Sequence, residues 1–209
     1  MPILLLVRHG ENDYVKKKRL AGRLPGVHLN ETGYQQAQTV AHTLASRLKA
    51  ASIQSIFSSP LERTMETAEP IAEALDVPIL ERPGLIETDF GDWQGKTLKD
   101  LARRKLWKVV QKNPSLMRFP GGESFAETQT RICSEIEILR SEHRENDVII
   151  CVSHSDPIKL AVAYYLGLPL DLFQRLTIAP ASITTLLINE SGSRLLNLNI
   201  DFSLTIMKH

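Results

Sequence analysis

The triplet Arg8-His9-Gly10 follows directly on the apolar run Ile3-Leu4-Leu5-Leu6-Val7. A short, wholly apolar run reads as a buried strand of a parallel sheet. In an open α/β sheet, ligands bind beyond the carboxyl ends of the strands. The triplet therefore sets a guanidinium, an imidazole and a permissive glycine on the rim where chemistry is expected. The arrangement recurs along the chain. The run beginning at Asp147 ends in Val152-Ser153-His154, and the run Ile53 to Phe57 passes through Ser58-Ser59-Pro60 into a segment whose first turn carries Arg63. Arginine offers a planar fork of donors matched to phosphate oxygens. A neutral imidazole can be a nucleophile and a charged one a donor. Taken singly, His9 and His154 would pass for satisfied core histidines and Arg63 for a solvated helix residue. Four such residues in matching strand-end contexts suit a phosphate dianion.

The elements that must position these residues can be read coarsely. Strands are expected at 3–8, 53–58, 78–81, 147–153, 175–179, 182–190 and 193–201, and helices at 32–49, 60–75, 97–111 and 123–145, with a further helix opening at Pro157. Thr32 reads as the cap of the first helix, whose apolar stripe is Ala37, Val40, Ala41, Leu44 and Leu48. Pro60 suits the first turn of the next helix. Glu190-Ser191-Gly192-Ser193 is a hairpin signal between the last two strands. Alternating strands and helices argue for a mainly parallel sheet covered on both faces, with antiparallel pairing at one edge. Short connections and right-handed crossovers then gather the ends of the strands at 3–8, 53–58 and 147–153 on one rim. That step would join His9, Arg63 and His154.

With 209 residues the chain can bury a substantial core and fits one domain, 1–209. A formal net charge of +1 argues against a dedicated nucleic-acid binder. The two cysteines, Cys133 and Cys151, suggest neither a disulfide framework nor a zinc site, and Cys151 reads as a buried strand residue. No apolar stretch has spanning length and no cleavable leader is evident, so a cytoplasmic protein without membrane partners is expected. A homo-oligomer is compatible with the sequence but cannot be read from it.

Several ordered motifs resemble the histidine phosphatase superfamily, also called the phosphoglycerate mutase-like family. They are Leu6-Val7-Arg8-His9-Gly10-Glu11, the glycine-rich Ala21-Gly22-Arg23-Leu24-Pro25-Gly26, and Leu29-Asn30-Glu31-Thr32-Gly33. Next come Ser58-Ser59-Pro60-Leu61-Glu62-Arg63-Thr64, Leu85-Ile86-Glu87 with Phe90-Gly91-Asp92-Trp93-Gln94-Gly95, Pro120-Gly121-Gly122-Glu123-Ser124, and Val152-Ser153-His154. The resemblance implies a three-layer α/β/α sandwich. It also implies a metal-independent phosphatase acting on a small phosphorylated metabolite, with no cofactor. It assigns His9 as the nucleophile that becomes a phosphohistidine, Glu87 as general acid, and Arg8, Arg63 and His154 as the phosphate clamp, His154 donating as imidazolium. Phe90 and Trp93 would bury Glu87 and raise its pKa. Asp89 and Asp92 are its rivals but fit a turn better.

Around this core, Gly10 is expected to permit close backbone approach and an uncommon dihedral. Gly22, Arg23 and Gly26 are expected to shape a loop over the pocket mouth, with Arg23 either touching substrate or lying on the surface. Ser58 and Ser59 sit near a helix start, where one would cap and either could contact the anion. The run Lys16-Lys17-Lys18-Arg19 reads first as a solvated face and second as an attractor of anions. Two departures from the family pattern bear on specificity. Val15 stands where many members have asparagine, so that either Asn12 replaces it or the contact is missing. Ser155-Asp156-Pro157 stands in place of a small, glycine-rich pair; the Ser155 amide could still bind phosphate, and Asp156 could cap the next helix. The alternatives are a phosphoglycerate mutase-type phosphotransferase and an inactive phosphate-binding module. The mutase-type segment is replaced here by Phe90 to Thr97, which favours the phosphatase, and no core residue is lost.

Overall fold

Ile3–Arg8, apolar until its last residue, forms the central strand β1 of the computed structural model, which describes residues 2–48, 53–189 and 192–202. Six strands make one sheet. They are β1, β2 (Ile56–Ser58), β3 (Ile79–Glu81), β4 (Val148–Ser153), β5 (Ile183–Asn189) and β6 (Gly192–Ile200), in the order β3-β2-β4-β1-β5-β6. β1 and β2 both run parallel to β4, and β2 to β3; β5 and β6 supply the antiparallel edge. The expected sheet is therefore present, and its parallel strands end on one rim.

Alternation along the buried strands sorts side chains to two covered faces. Leu4, Leu6, Ile149 and Cys151 pack on one face with Ile132, Ile136, Ile158 and Val162, from α6 (Phe125–Glu142) and α7 (Ser155–Tyr165). Leu5, Val7, Ile150 and Val152 pack on the other with Val40, Leu44, Ala68 and Ile71, from α2 (Glu31–Arg47) and α3 (Glu62–Leu75). This is the three-layer sandwich. A third, aromatic cluster of Phe90, Trp93, Phe119, Phe125 and Phe173 lies beyond the strand ends. Over it lie α4 (Leu98–Leu101) and α5 (Lys105–Lys112). No helix among the described residues is long and apolar enough to cross a membrane.

Several boundaries differ from expectation for local reasons. Asn30 caps α2, its side chain accepting from the Gly33 amide, so Thr32 lies inside the helix. The strand expected at 53–58 pairs only over Ile56–Ser58. The helix expected at 97–111 breaks into α4 and α5. The segment expected as a strand at 175–179 follows a 3-10 turn, Leu170–Arg175, and joins no ladder. Helix α7 begins at Ser155 rather than at Pro157, which sits in its first turn. Asp13–Lys16, expected as loop, forms a one-turn helix, α1, capped by Asn12. A capping box at Ser124 and Glu127 starts α6, a device whose serine contributes about 1 kcal/mol. The β5–β6 hairpin is present, while its turn residues Glu190 and Ser191 lie outside the described residues.

Candidate active site

The ends of β1 and β4 are joined one residue beyond their ladder. The His9 amide donates to the Ser153 carbonyl at 3.0 Å and the Ser59 amide to the Val152 carbonyl at 3.0 Å. This lattice brings the His9 and His154 rings to a centroid distance of 5.2 Å. Gly10 earns its place by close approach rather than by an unusual dihedral. A Cβ there would stand 2.6 Å from the Gly33 carbonyl oxygen, and its φ is not positive.

Hydrogen bonds fix the histidine tautomers. His9 Nδ1 lies 2.7 Å from the Gly10 carbonyl, which can only accept. Nδ1 therefore carries the proton and Nε2 the lone pair. Burial, then the nearby Arg63 and Arg8 charges, pushes the His9 pKa well below the usual histidine value. His154 is different. Its Nδ1 lies 3.2 Å from Arg63 Nη2, which can only donate, so Nε2 carries the proton and gives it to Ser59 Oγ at 2.8 Å. Burial first, then the Arg63 charge, lowers its pKa too. The imidazolium expected for His154 is thus replaced by a neutral ring that holds Arg63. Neither serine is the N-cap of α3, which is Leu61 and makes no side-chain bond; Ser59 Oγ accepts from the Leu61 amide at 3.5 Å, and Ser58 Oγ donates to the Ser59 carbonyl.

Arg8, His9, Asn12, Gly22, Arg63, Glu87 and Ser155 line one cavity of about 260 Å³. Arg8, Arg63 and Asn12 bring buried donors to it that have no partner among the described residues. Arg63 spends Nη2 on the Gly22 carbonyl (2.7 Å) and on His154, leaving Nε and Nη1 unpaired. Arg8 spends Nη1 on the Ile178 carbonyl (2.7 Å), leaving Nε. Asn12 uses Oδ1 to cap α1, leaving Nδ2. Four unpaired donor nitrogens on residues of one cavity would cost about 1–3 kcal/mol each if nothing met them, an arrangement suited to an anion. Burial lowers the Arg63 pKa to about 10, and the group stays charged at neutral pH. Gly22 reaches Arg63 because its φ of +57° and missing Cβ let the loop pass the Gln94 side chain.

Glu87 sits on the same wall, about 9% exposed. Burial and then the Asp156 carboxylate push its pKa up to about 7, against the opposing pull of Arg63, the Thr88 amide and Arg8. Its backbone is clamped. Arg131 donates to the Gly84 and Ile86 carbonyls at 2.9 and 2.8 Å, and Arg23 Nε to the Glu87 carbonyl at 2.8 Å. Glu123 ties those two arginines together at 2.6 and 3.0 Å.

Arg23 is therefore placed behind the Glu87 loop rather than on the cavity wall, and His154 too lies behind the wall. Asp89 accepts from the Gly91 amide in a turn, and neither it nor Asp92 lines the cavity. The basic run divides: Lys17 pairs with Asp13, whereas Lys18 and Arg19 line the cavity. Sequence reasoning missed Asp156 as a wall residue, since as a cap it would point elsewhere; α7 is in fact capped without a side-chain bond. It also missed the Arg131–Glu123 clamp, whose signal was Glu123 in the Pro-Gly-Gly-Glu-Ser motif. Among the described residues no group of three or more His, Cys, Asp or Glu is arranged to hold a metal ion.

The chain is similar to several known proteins. The sequence profile of the histidine phosphatase superfamily (branch 1) matches residues 4–201. The chain is 32% identical over 199 residues to phosphoserine phosphatase 1 of Hydrogenobacter thermophilus, covering 94% of this chain and 92% of that one. It is 28% identical over 190 residues to the 2,3-bisphosphoglycerate-dependent phosphoglycerate mutase of Thermoplasma acidophilum, covering 89% and 87%. Among solved structures, a mycobacterial glucosyl-3-phosphoglycerate phosphatase superposes with a TM-score of 0.85 at 28% identity, covering 95% of this chain and 99% of that one.

Proposed function

Since the chain belongs to the histidine phosphatase superfamily, whose phosphatase relatives support a phosphomonoesterase hydrolase, we propose that it hydrolyses small phosphomonoesters through a phosphohistidine on His9, without a metal. The observation that carries this reading is the set of unpaired buried donors of Arg8, Arg63 and Asn12 around the cavity shared by His9 and Glu87. The donors meet the phosphoryl oxygens, and two guanidinium charges supply the stabilisation that phosphoryl transfer needs. His9 Nε2 forms a bond to phosphorus as the bond to the leaving oxygen breaks. Glu87 gives that oxygen its proton. Water then attacks the phosphohistidine, giving its proton to the Glu87 carboxylate, and inorganic phosphate and neutral His9 result.

Arg8, Asn12 and Arg63 bind the phosphoryl group in this reading, and the Ser155 amide, at the start of α7, adds a donor. His154, Gly22 and Arg23 act through others: the first two hold Arg63 and the third holds the Glu87 loop. The substrate is a small phosphorylated metabolite.

The experiment is to incubate the chelator-treated enzyme with phosphoserine, 3-phosphoglycerate and an activated aryl phosphate and to measure inorganic phosphate. Release at a rate unchanged by exhaustive chelation is expected, because the arginines already carry the positive charge. Isomerisation of phosphoglycerate without phosphate release would identify a mutase, and phosphate binding without turnover an inactive binding module. A strict requirement for an added divalent ion would overturn the proposed mechanism.

A further inference from the structure

A second cavity of about 280 Å³ adjoins the phosphate cavity, and Leu20, Phe90, Leu98 and Asp156 line both. Its remaining walls are mainly the aromatic cluster. Trp93 and Trp107 stack at 6.2 Å and 24°, and Phe119 meets the edge of Trp93 at 5.3 Å. Trp107 comes from α5. Among the described residues no lysine or arginine lines this cavity. Its polar residues include Asp156 and Gln174, and Lys159, which is not among the lining residues, contacts both, at 3.6 and 3.4 Å.

A mainly apolar space of this kind has a definite chemical preference. Apolar cavities of about 150 Å³ already accept a benzene ring. A phosphate held by Arg8 and Arg63 directs its ester oxygen toward Glu87, and Glu87, Asp156 and Phe90 share that wall. With no lysine or arginine among the described residues of its wall, and with the Asp156 carboxylate on that wall, the second cavity favours an uncharged group over an anionic one. We propose that it is the leaving-group subsite, and that the preferred substrates are monophosphates of alcohols bearing an uncharged ring or branched apolar chain. This rests on the phosphatase reading above and narrows its substrate class.

The test uses benzyl phosphate, ethyl phosphate and phosphoserine as probes, the first two being esters of alcohols of nearly equal acidity. Filling a hydrophobic pocket is worth roughly 10–200-fold for small differences in size. The expected kcat/KM for benzyl phosphate therefore exceeds that for ethyl phosphate, and that for phosphoserine, by about tenfold or more. Gln174→Trp and Gln111→Trp fill the cavity from two different walls, and each should bring the benzyl-to-ethyl ratio close to one. Using both guards against one variant failing to fold. Equal turnover of benzyl and ethyl phosphate by the native enzyme, or a ratio that survives in both folded variants, would overturn the subsite and leave the phosphatase reading standing. No phosphate release from any probe would overturn both.

Discussion

His9→Ala is expected to lower kcat/KM by about 10⁴-fold or more, the scale on which losing one member of a nucleophilic unit is felt. The argument starts from the tautomer. The Gly10 carbonyl accepts a hydrogen bond from Nδ1 at 2.7 Å, and burial beside two guanidiniums disfavours the charged ring, so the Nε2 lone pair is available. The neighbouring imidazole, His154, is not free to replace it, because both of its nitrogens are engaged, by Arg63 and by Ser59. The donors of Arg8, Arg63 and Asn12 remain, so the variant should still bind inorganic phosphate. Calorimetric titration with phosphate beside steady-state kinetics checks the split. A tenfold loss or less would show that His9 is not the nucleophile, and joint loss of turnover and binding would point to collapse of the site.

Glu87→Gln should slow cleavage of alkyl phosphates by about 10²–10⁴-fold while affecting activated aryl phosphates far less. An alkoxide needs a proton in the transition state, and an aryl oxide with a low pKa needs little. The same reading fixes a pH profile. With its pKa raised to about 7, Glu87 is protonated below that pH and becomes ionised above it. Native kcat/KM for alkyl phosphates should therefore fall as pH rises through about 7, and the Gln variant should lack that limb. His9 adds no limb near its ordinary pKa, since it stays neutral to well below 6.5. The substrate's own ionisation, near about 6, is corrected for by using the same ester with both enzymes. A mutant-to-native ratio that stays flat across leaving groups would sink the general-acid assignment. The rival would then be Asp156, on the same wall, and not Asp89 or Asp92.

What was legible in the sequence follows from the range of the interactions involved. Buried parallel strands advertise themselves as apolar runs, and crossover handedness brings their ends to one rim, so the meeting of His9, Arg63 and His154 was foreseeable. Protonation states were not. His154 reads as a potential phosphate donor until Arg63 and Ser59, 91 and 95 residues away in sequence, are seen to occupy its two nitrogens. Arg23 is similar: its partners, the Glu87 carbonyl and Glu123, lie 64 and 100 residues distant. Asp156 illustrates the opposite error, where a plausible local cap yields to the cavity wall. The division of the expected helix into α4 and α5 was likewise hidden by a continuous helical pattern.

The central claim is covalent: phosphate resides on one particular nitrogen. Brief mixing with labelled phosphomonoester, an alkaline quench and mapping of the labelled peptide test it directly. The account predicts acid-labile label on His9 at Nε2, because Nδ1 is committed to the Gly10 carbonyl. Label on a serine, an aspartate, His154 or no residue at all, with the enzyme turning over, would contradict it.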